Sequence, residues 1–271
     1  MASDDLLTIA CQFTPHARIL DARPYGSGNL NDTYLVTLDG ADPFILQRIN
    51  TYVFTQPELI MRNMRTFSEH VLARLEREPL GRRWEVPRVY SARDGRDFYI
   101  DDEGAFWRAI GYVGHSQCYQ TVQSVEHARE AGYGLGMFQN LISDLDPARL
   151  YDTLEGFHVT PRYLAHYDRV RADVSPQSDP VRWGMRFVEQ CRARASVLED
   201  ALARGELRLH PIHGDPKINN FMIDEQTRQA VSLIDLDTVK PGLVHYDIGD
   251  CLRSCCNVLG EETTQFDEVR F

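Results

Sequence analysis

HGDPKINNFMID, residues 213–224, places a carboxylate (Asp215), an ammonium (Lys217) and an amide (Asn220) close together and then turns apolar. The apolar run NFMID (220–224) and a second one, AVSLIDLD (230–237), are joined by the polar EQTRQ, a pattern that predicts a β-hairpin with polar residues at both ends. Asn220 stands at one end of this ribbon, and Asp235 and Asp237 stand at the other. Strand alternation predicts that both aspartates share a face. His210 and His213 make no zinc site with Pro211 between them and no third ligand near in sequence. His213 is expected to be a scaffold side chain that bonds backbone and holds the Asp215 turn.

Working outward, the first third reads as strands. ARILDARPYGSG leads into NDTYLVTLDG, and a turn at DGADP delivers the chain to FILQRIN. TQPELIMRNMRTFSEHVLARL then repeats apolar residues at helical spacing, with Thr55 and Glu58 as a capping box and Pro57 in the first turn. VPRVYSARDG and RDFYIDDEGAFWRAIGYV return to β character, for an expected five-stranded sheet and one helix. Beyond Gly114 the texture turns helical. Helices are predicted over VEHAREAGYGLGMFQNLISDL, over PRYLAHYDRV, and as one long element from Asp179 to Gly205. The predicted units are residues 1–113, a sheet lobe, and residues 114–271, a mainly helical lobe expected to be incomplete at its C-terminus.

Composition narrows the classes. The chain of 271 residues is long enough to bury a core, and its formal charge of −11 argues against a general nucleic-acid binder. No apolar run reaches membrane-spanning length and the N-terminus lacks a secretory pattern, so a cytoplasmic, non-membrane protein is expected. Six cysteines without CxxC spacing are expected to be buried thiols.

The polar residues suit phosphoryl transfer. Four residues separate Asp215 from Asn220, the spacing of a protein-kinase catalytic loop, in which the acid orients a hydroxyl and the amide binds magnesium. A second hard oxygen ligand is expected from Asp235, with Asp237 as second choice. PYGSGNLNDTYLV offers a glycine-rich turn through which backbone amides can approach phosphates, although any hairpin can use GSGN as its turn. The third strand carries no lysine, so Arg48 or Gln47 must face the nucleotide, and alternation lets only one do so. Arg48 is favoured for its fork of donors. Glu58 and Glu69 are candidate partners for that cation. Trp107 to Val113 is a candidate wall for adenine.

Taken together, HGDPKINNFMID, IDLDTVKPGLVHYDIGD, GSGNLNDTYLV and FILQRIN resemble the aminoglycoside phosphotransferase and choline kinase superfamily of small-molecule kinases. AGYGLGMFQNLISDL and EGFHVTP look most similar to bacterial N-acetylhexosamine 1-kinases. The resemblance implies an α+β, protein-kinase-like bilobal fold that binds ATP and Mg²⁺. It makes Asp215 the catalytic carboxylate, Asn220 and Asp235 the metal ligands, and Gly26, Ser27, Gly28 and Asn29 the phosphate-facing turn; Lys217, two residues beyond Asp215, is expected to stabilise the transferred group. Asp247 looks like the buttress of the catalytic loop. The expected activity is transfer of the γ-phosphoryl group of ATP to a sugar hydroxyl, the anomeric one of an N-acetylhexosamine. Alternatives are an aminoglycoside, choline or homoserine-like acceptor, for which Asp144, Asp146 and Glu155 could form an acidic wall, or a nucleotide-binding pseudokinase.

Overall fold

The structure is a computed structural model and describes residues 3–26, 30–174, 178–257 and 259–260. An unanticipated helix, α1 (Ser3–Ala10), precedes the strands β1 (Ile19–Pro24), β2 (Asp32–Leu38) and β3 (Phe44–Arg48). α2 (Pro57–Arg77) follows, with Pro57 in its first turn. Its N-cap is Gln56 without a side-chain bond, so the expected Thr55–Glu58 box does not form. The strands β4 (Val89–Tyr90), β5 (Tyr99–Ile100) and β6 (Phe106–Gly111) complete an antiparallel sheet in the order β1-β2-β3-β6-β4, with β5 also on β6. The sheet has six strands rather than the expected five, because β4 and β5 each pair separately with β6.

Alternation along the strands gives the sheet two distinct faces. Phe44, Leu46, Trp107 and Ala109 pack against Leu6, Ile9 and Phe13 from the α1 region. Ile45, Gln47, Arg108 and Ile110 point to the opposite face, which lines a cleft. Trp107, expected in the cleft wall, is therefore core. Its indole N–H donates to Asp101.

The second lobe is framed by β7 (Ser116–Gln117), α3 (Val125–Leu141), α4 (Thr160–Ala172), α5 (Asp179–Cys191), α6 (Val197–Ala203), β8 (His210–Ile212), β9 (Phe221–Asp224), β10 (Ala230–Leu233), β11 (Lys240–Gly242) and α7 (Val244–Cys255). The predicted hairpin is β9–β10, extended by β7, while β8 pairs with β11. The long helix expected from Asp179 to Gly205 is broken by a 3₁₀ turn at Arg192–Arg194, a polar stretch with no buried side chain to hold it in register. α3 lies close against β9, since a Cβ on Gly134 would meet the Phe221 ring at 2.7 Å.

One hydrophobic cluster runs through both lobes. Ile60, Met64 and Phe67 of α2 join Phe138 of α3, Phe221 of β9 and Leu236 after β10. The rings of Phe67 and Phe138 stack at 5.2 Å. Burial on this scale contributes roughly 25 cal/mol per Å² of apolar surface, so α2 couples the two lobes. All six cysteines are free; Cys251 alone among them is buried and Cys118 is exposed, contrary to the expectation that they share the core. Among the described residues no helix is long and apolar enough to cross a membrane.

Candidate active site

The chain turns sharply between β8 and Asp215, and Gly214 together with the side chains of Asp247 and His213 fixes that turn. Gly214 adopts φ +87°, and an added Cβ there would sit 2.6 Å from the Thr238 carbonyl oxygen. Asp247, from the first turn of α7, accepts the backbone N–H groups of His213 (2.9 Å) and Gly214 (2.8 Å) and the Gln139 amide (2.6 Å). Burial pushes its carboxyl up from the usual range, and these donors pull the other way. His213 is wholly buried. The Asp215 N–H donates to its Nδ1 (3.2 Å), so Nε2 carries the proton and donates to the Ile234 carbonyl (2.9 Å). Burial holds this imidazole below its ordinary pKa and so favours the neutral form, while the two hydrogen bonds set its tautomer.

Beyond the turn, Lys217 Nζ lies 2.8 Å from Asp215 Oδ2. The Asn220 amide nitrogen donates to the Asp215 carbonyl (2.8 Å), leaving its side-chain oxygen as a hard donor. The Asn220 carbonyl accepts the Ile234 N–H (2.9 Å), which brings the two ends of the ribbon together. Ser254 of α7 adds a further tie by accepting the Ile218 N–H at 3.0 Å.

Asp235 has φ +63°, and a 3₁₀ turn, Leu236–Thr238, follows it. Strand alternation does not therefore relate Asp235 and Asp237; β10 has already ended at Leu233. Both nonetheless line the same cleft of about 690 Å³ with Asp215, Lys217 and Asn220. The depth of its position, then Asp237 and Asp215, push the Asp235 carboxyl up to about 7. Its side chain opens to the cleft, so water tempers that effect. A carboxylate and an amide oxygen suit a hard cation that keeps waters and takes phosphate oxygens. Among the described residues no group of three or more His, Cys, Asp or Glu side chains forms a metal cage. The donors present fit a hard divalent cation held partly by its substrate.

Gly26 also lines the cleft, with φ +77°. Ser27, Gly28 and Asn29 lie outside the described residues. Arg48 is a correction. It shares its face of β3 with Leu46, and its Nε donates to Asp32 (2.7 Å) on the exposed side, so Gln47 is the residue that faces the cleft. Glu69 pairs with Arg65 at the surface rather than with Arg48, whose partner is Asp32. Sequence reading missed Arg108, which is 1% exposed and pairs with Asp237 at 2.5 Å. The signal was present in FWRAIG: period two puts Arg108 on the same face as Phe106 and Ile110, the face that lines the cleft. It also missed Asn31, whose amide donates to Asp237 at 2.8 Å.

A family model described as the phosphotransferase enzyme family matches residues 21–266. This chain belongs to that family. It is a phosphotransferase, and its fold recurs in several solved structures. A GDP complex of aminoglycoside 2′-phosphotransferase-IIIa superposes with a TM-score of 0.60 at 16% identity, covering 94% of this chain and 79% of that one. A microcompartment-associated aminopropanol kinase gives 0.58 at 21% identity, with 91% and 74% covered. An amicoumacin kinase bound to AMP-PNP and Ca²⁺ gives 0.53 at 16% identity, with 94% and 69% covered. These likenesses establish the protein-kinase-like bilobal fold of this phosphotransferase.

Proposed function

We propose that this phosphotransferase is a kinase that transfers the γ-phosphoryl group of ATP, with Mg²⁺, to a hydroxyl of a small sugar, the anomeric hydroxyl of an N-acetylhexosamine. The observation that carries the reading is the convergence of Asp215, Asn220 and Asp235 on one cleft between the lobes. Asp215 orients the acceptor hydroxyl and takes its proton as the bond to phosphorus forms. Lys217, beside Asp215, offers positive charge to the transferred group. Asn220 and Asp235 would hold the metal, which when bound would supply positive charge to offset that on the phosphates. Gly26 leaves the approach to the phosphates free of side-chain bulk.

The state of the acidic residues supports a neutral acceptor over a cationic one. Asp144 is paired with His70 and Arg74, Asp146 caps the 3₁₀ turn at Pro147–Arg149, and Glu155 pairs with Arg162. The acidic wall that an amine would need is thus already engaged. The EGFHVTP segment also reaches the reacting region, where the His158 ring bonds the Gly214 carbonyl.

A screen of ADP release with Mg·ATP over hexoses, N-acetylhexosamines, amino alcohols and aminoglycosides tests the reading. Turnover with an N-acetylhexosamine and a 1-phosphate product is the expected result. Turnover confined to cationic acceptors overturns the sugar assignment, and nucleotide binding without turnover on any acceptor overturns the kinase.

A further inference from the structure

The polar side chain that β3 turns to the cleft is the neutral Gln47, and its carbonyl oxygen is gripped from the neighbouring strand β6. Arg108 on β6 is its cross-strand partner, donating through Nε (2.9 Å) and Nη2 (2.7 Å) to Gln47 Oε1. Gln47 is held in turn by its own Nε2, which donates to the Thr33 hydroxyl at 3.0 Å. The remaining arm of the guanidinium, Nη1, lies 2.5 Å from Asp237 Oδ1. A charge this well shielded is costly unless paired or used. On the helix side the neighbour of the guanidinium is Met64 Sδ, at 3.1 Å, so α2 supplies no carboxylate. The counterion comes instead from Asp237, in the loop that also bears Asp235, and Asn31 holds the second oxygen of that carboxylate.

We propose that Arg108 supplies, from β6, the positive charge that receives a nucleotide's polyphosphate in this cleft, the task for which β3 presents only Gln47. The proposal rests on the phosphotransferase reading above. Gln47 serves as the bracket that points the guanidinium inward, and Asp237 balances the charge when no phosphate is present. Arg48 cannot take this part, because it is bound to Asp32 on the other face of the sheet. A planar fork of donors suits phosphate oxygens, and polar partners on both sides hold it in place ahead of the ligand.

The test compares two ligands by calorimetry on the full chain: AMP-PNP with Mg²⁺, which carries the polyphosphate, and adenosine, which does not. In Arg108→Gln the dissociation constant for AMP-PNP is expected to rise at least tenfold while that for adenosine stays within twofold. Moving the charge back, in Gln47→Lys with Arg108→Gln, is expected to recover most of the AMP-PNP affinity. If thermal unfolding shows that Arg108→Gln does not fold, Arg108→Met, which keeps an unbranched chain against Met64, is read in the same way. Equal losses for both ligands, or no loss for AMP-PNP, overturn the proposal and leave the kinase reading standing. A wild-type protein that binds no nucleotide overturns both.

Discussion

Asp247, in the first turn of α7, accepts the backbone N–H of Gly214 at 2.8 Å, so the residue immediately before Asp215 is held by a carboxylate 33 positions further along the chain. The same carboxylate holds the His213 N–H and the Gln139 amide. Truncation in Asp247→Ala leaves those donors buried and unpaired, at a cost of about 3 kcal/mol. Urea denaturation is expected to show that loss, and Asp247→Asn to show a smaller one. A stability within 0.5 kcal/mol of wild type, on the usual scale of surface substitutions, would mean that the turn is held by other contacts.

Asp215→Asn keeps the side chain's shape and removes its capacity to take a proton. Turnover is expected to fall roughly 100- to 10,000-fold while the KM for ATP changes little, because the loss falls on proton transfer rather than on nucleotide binding. Steady-state kinetics on the best acceptor of the screen measure both. A kcat near that of wild type would remove Asp215 from the reaction.

Gly214→Ala strains the chain twice, through φ +87° and through a Cβ placed 2.6 Å from the Thr238 carbonyl. The expected result is a loss of more than about 2 kcal/mol together with reduced activity in whatever fraction folds, since the turn that aims Asp215 must open. A thermal midpoint matching wild type would show that this turn relaxes freely.

Acid sensitivity is expected at Asp224, the end of β9. Backbone donation from Thr227, the ion pair with Arg83 and further bonds from Gln226 and Thr227 lower its carboxyl to about 2. An unfolded aspartate titrates near 3.9, so between these values the unfolded chain binds the proton and the native chain does not. The stability that Asp224 contributes is therefore fully present above about 4 and disappears as pH falls toward 2. Denaturation curves of wild type and Asp224→Asn should differ at pH 7 and converge near pH 2. A difference that persists unchanged at pH 2 would rule out this linkage.

Much of the fold was legible because its signals are local. Strand alternation, Pro57 at a helix start and the polar EQTRQ between two apolar runs each depend on neighbouring residues only. Besides α1, which was not anticipated, and Trp107, which is core, the misreadings concern strand count, boundaries and caps. Thr55–Glu58 matches a capping pattern that the chain does not form, and the helix expected from Asp179 to Gly205 breaks at Arg192–Arg194, where no core contact sustains it.

By itself the sequence determined that Asp215, Lys217 and Asn220 lie together on one short loop, since so few residues separate them. It also determined that Gln47 and Arg48 must face opposite ways, because side chains alternate along a strand. Only the tertiary structure decided which of the two looks into the cleft. That choice depends on which face of the sheet α1 covers, and α1 lies far from β3 in the chain. The pairing of Arg108 with Asp237 was likewise beyond sequence: one residue sits mid-strand in the first lobe, the other in a loop of the second, and only the packing of the lobes brings their charges together. Local propensity fixes elements and turns, whereas a site built across an interface is fixed by the docking of surfaces distant in sequence.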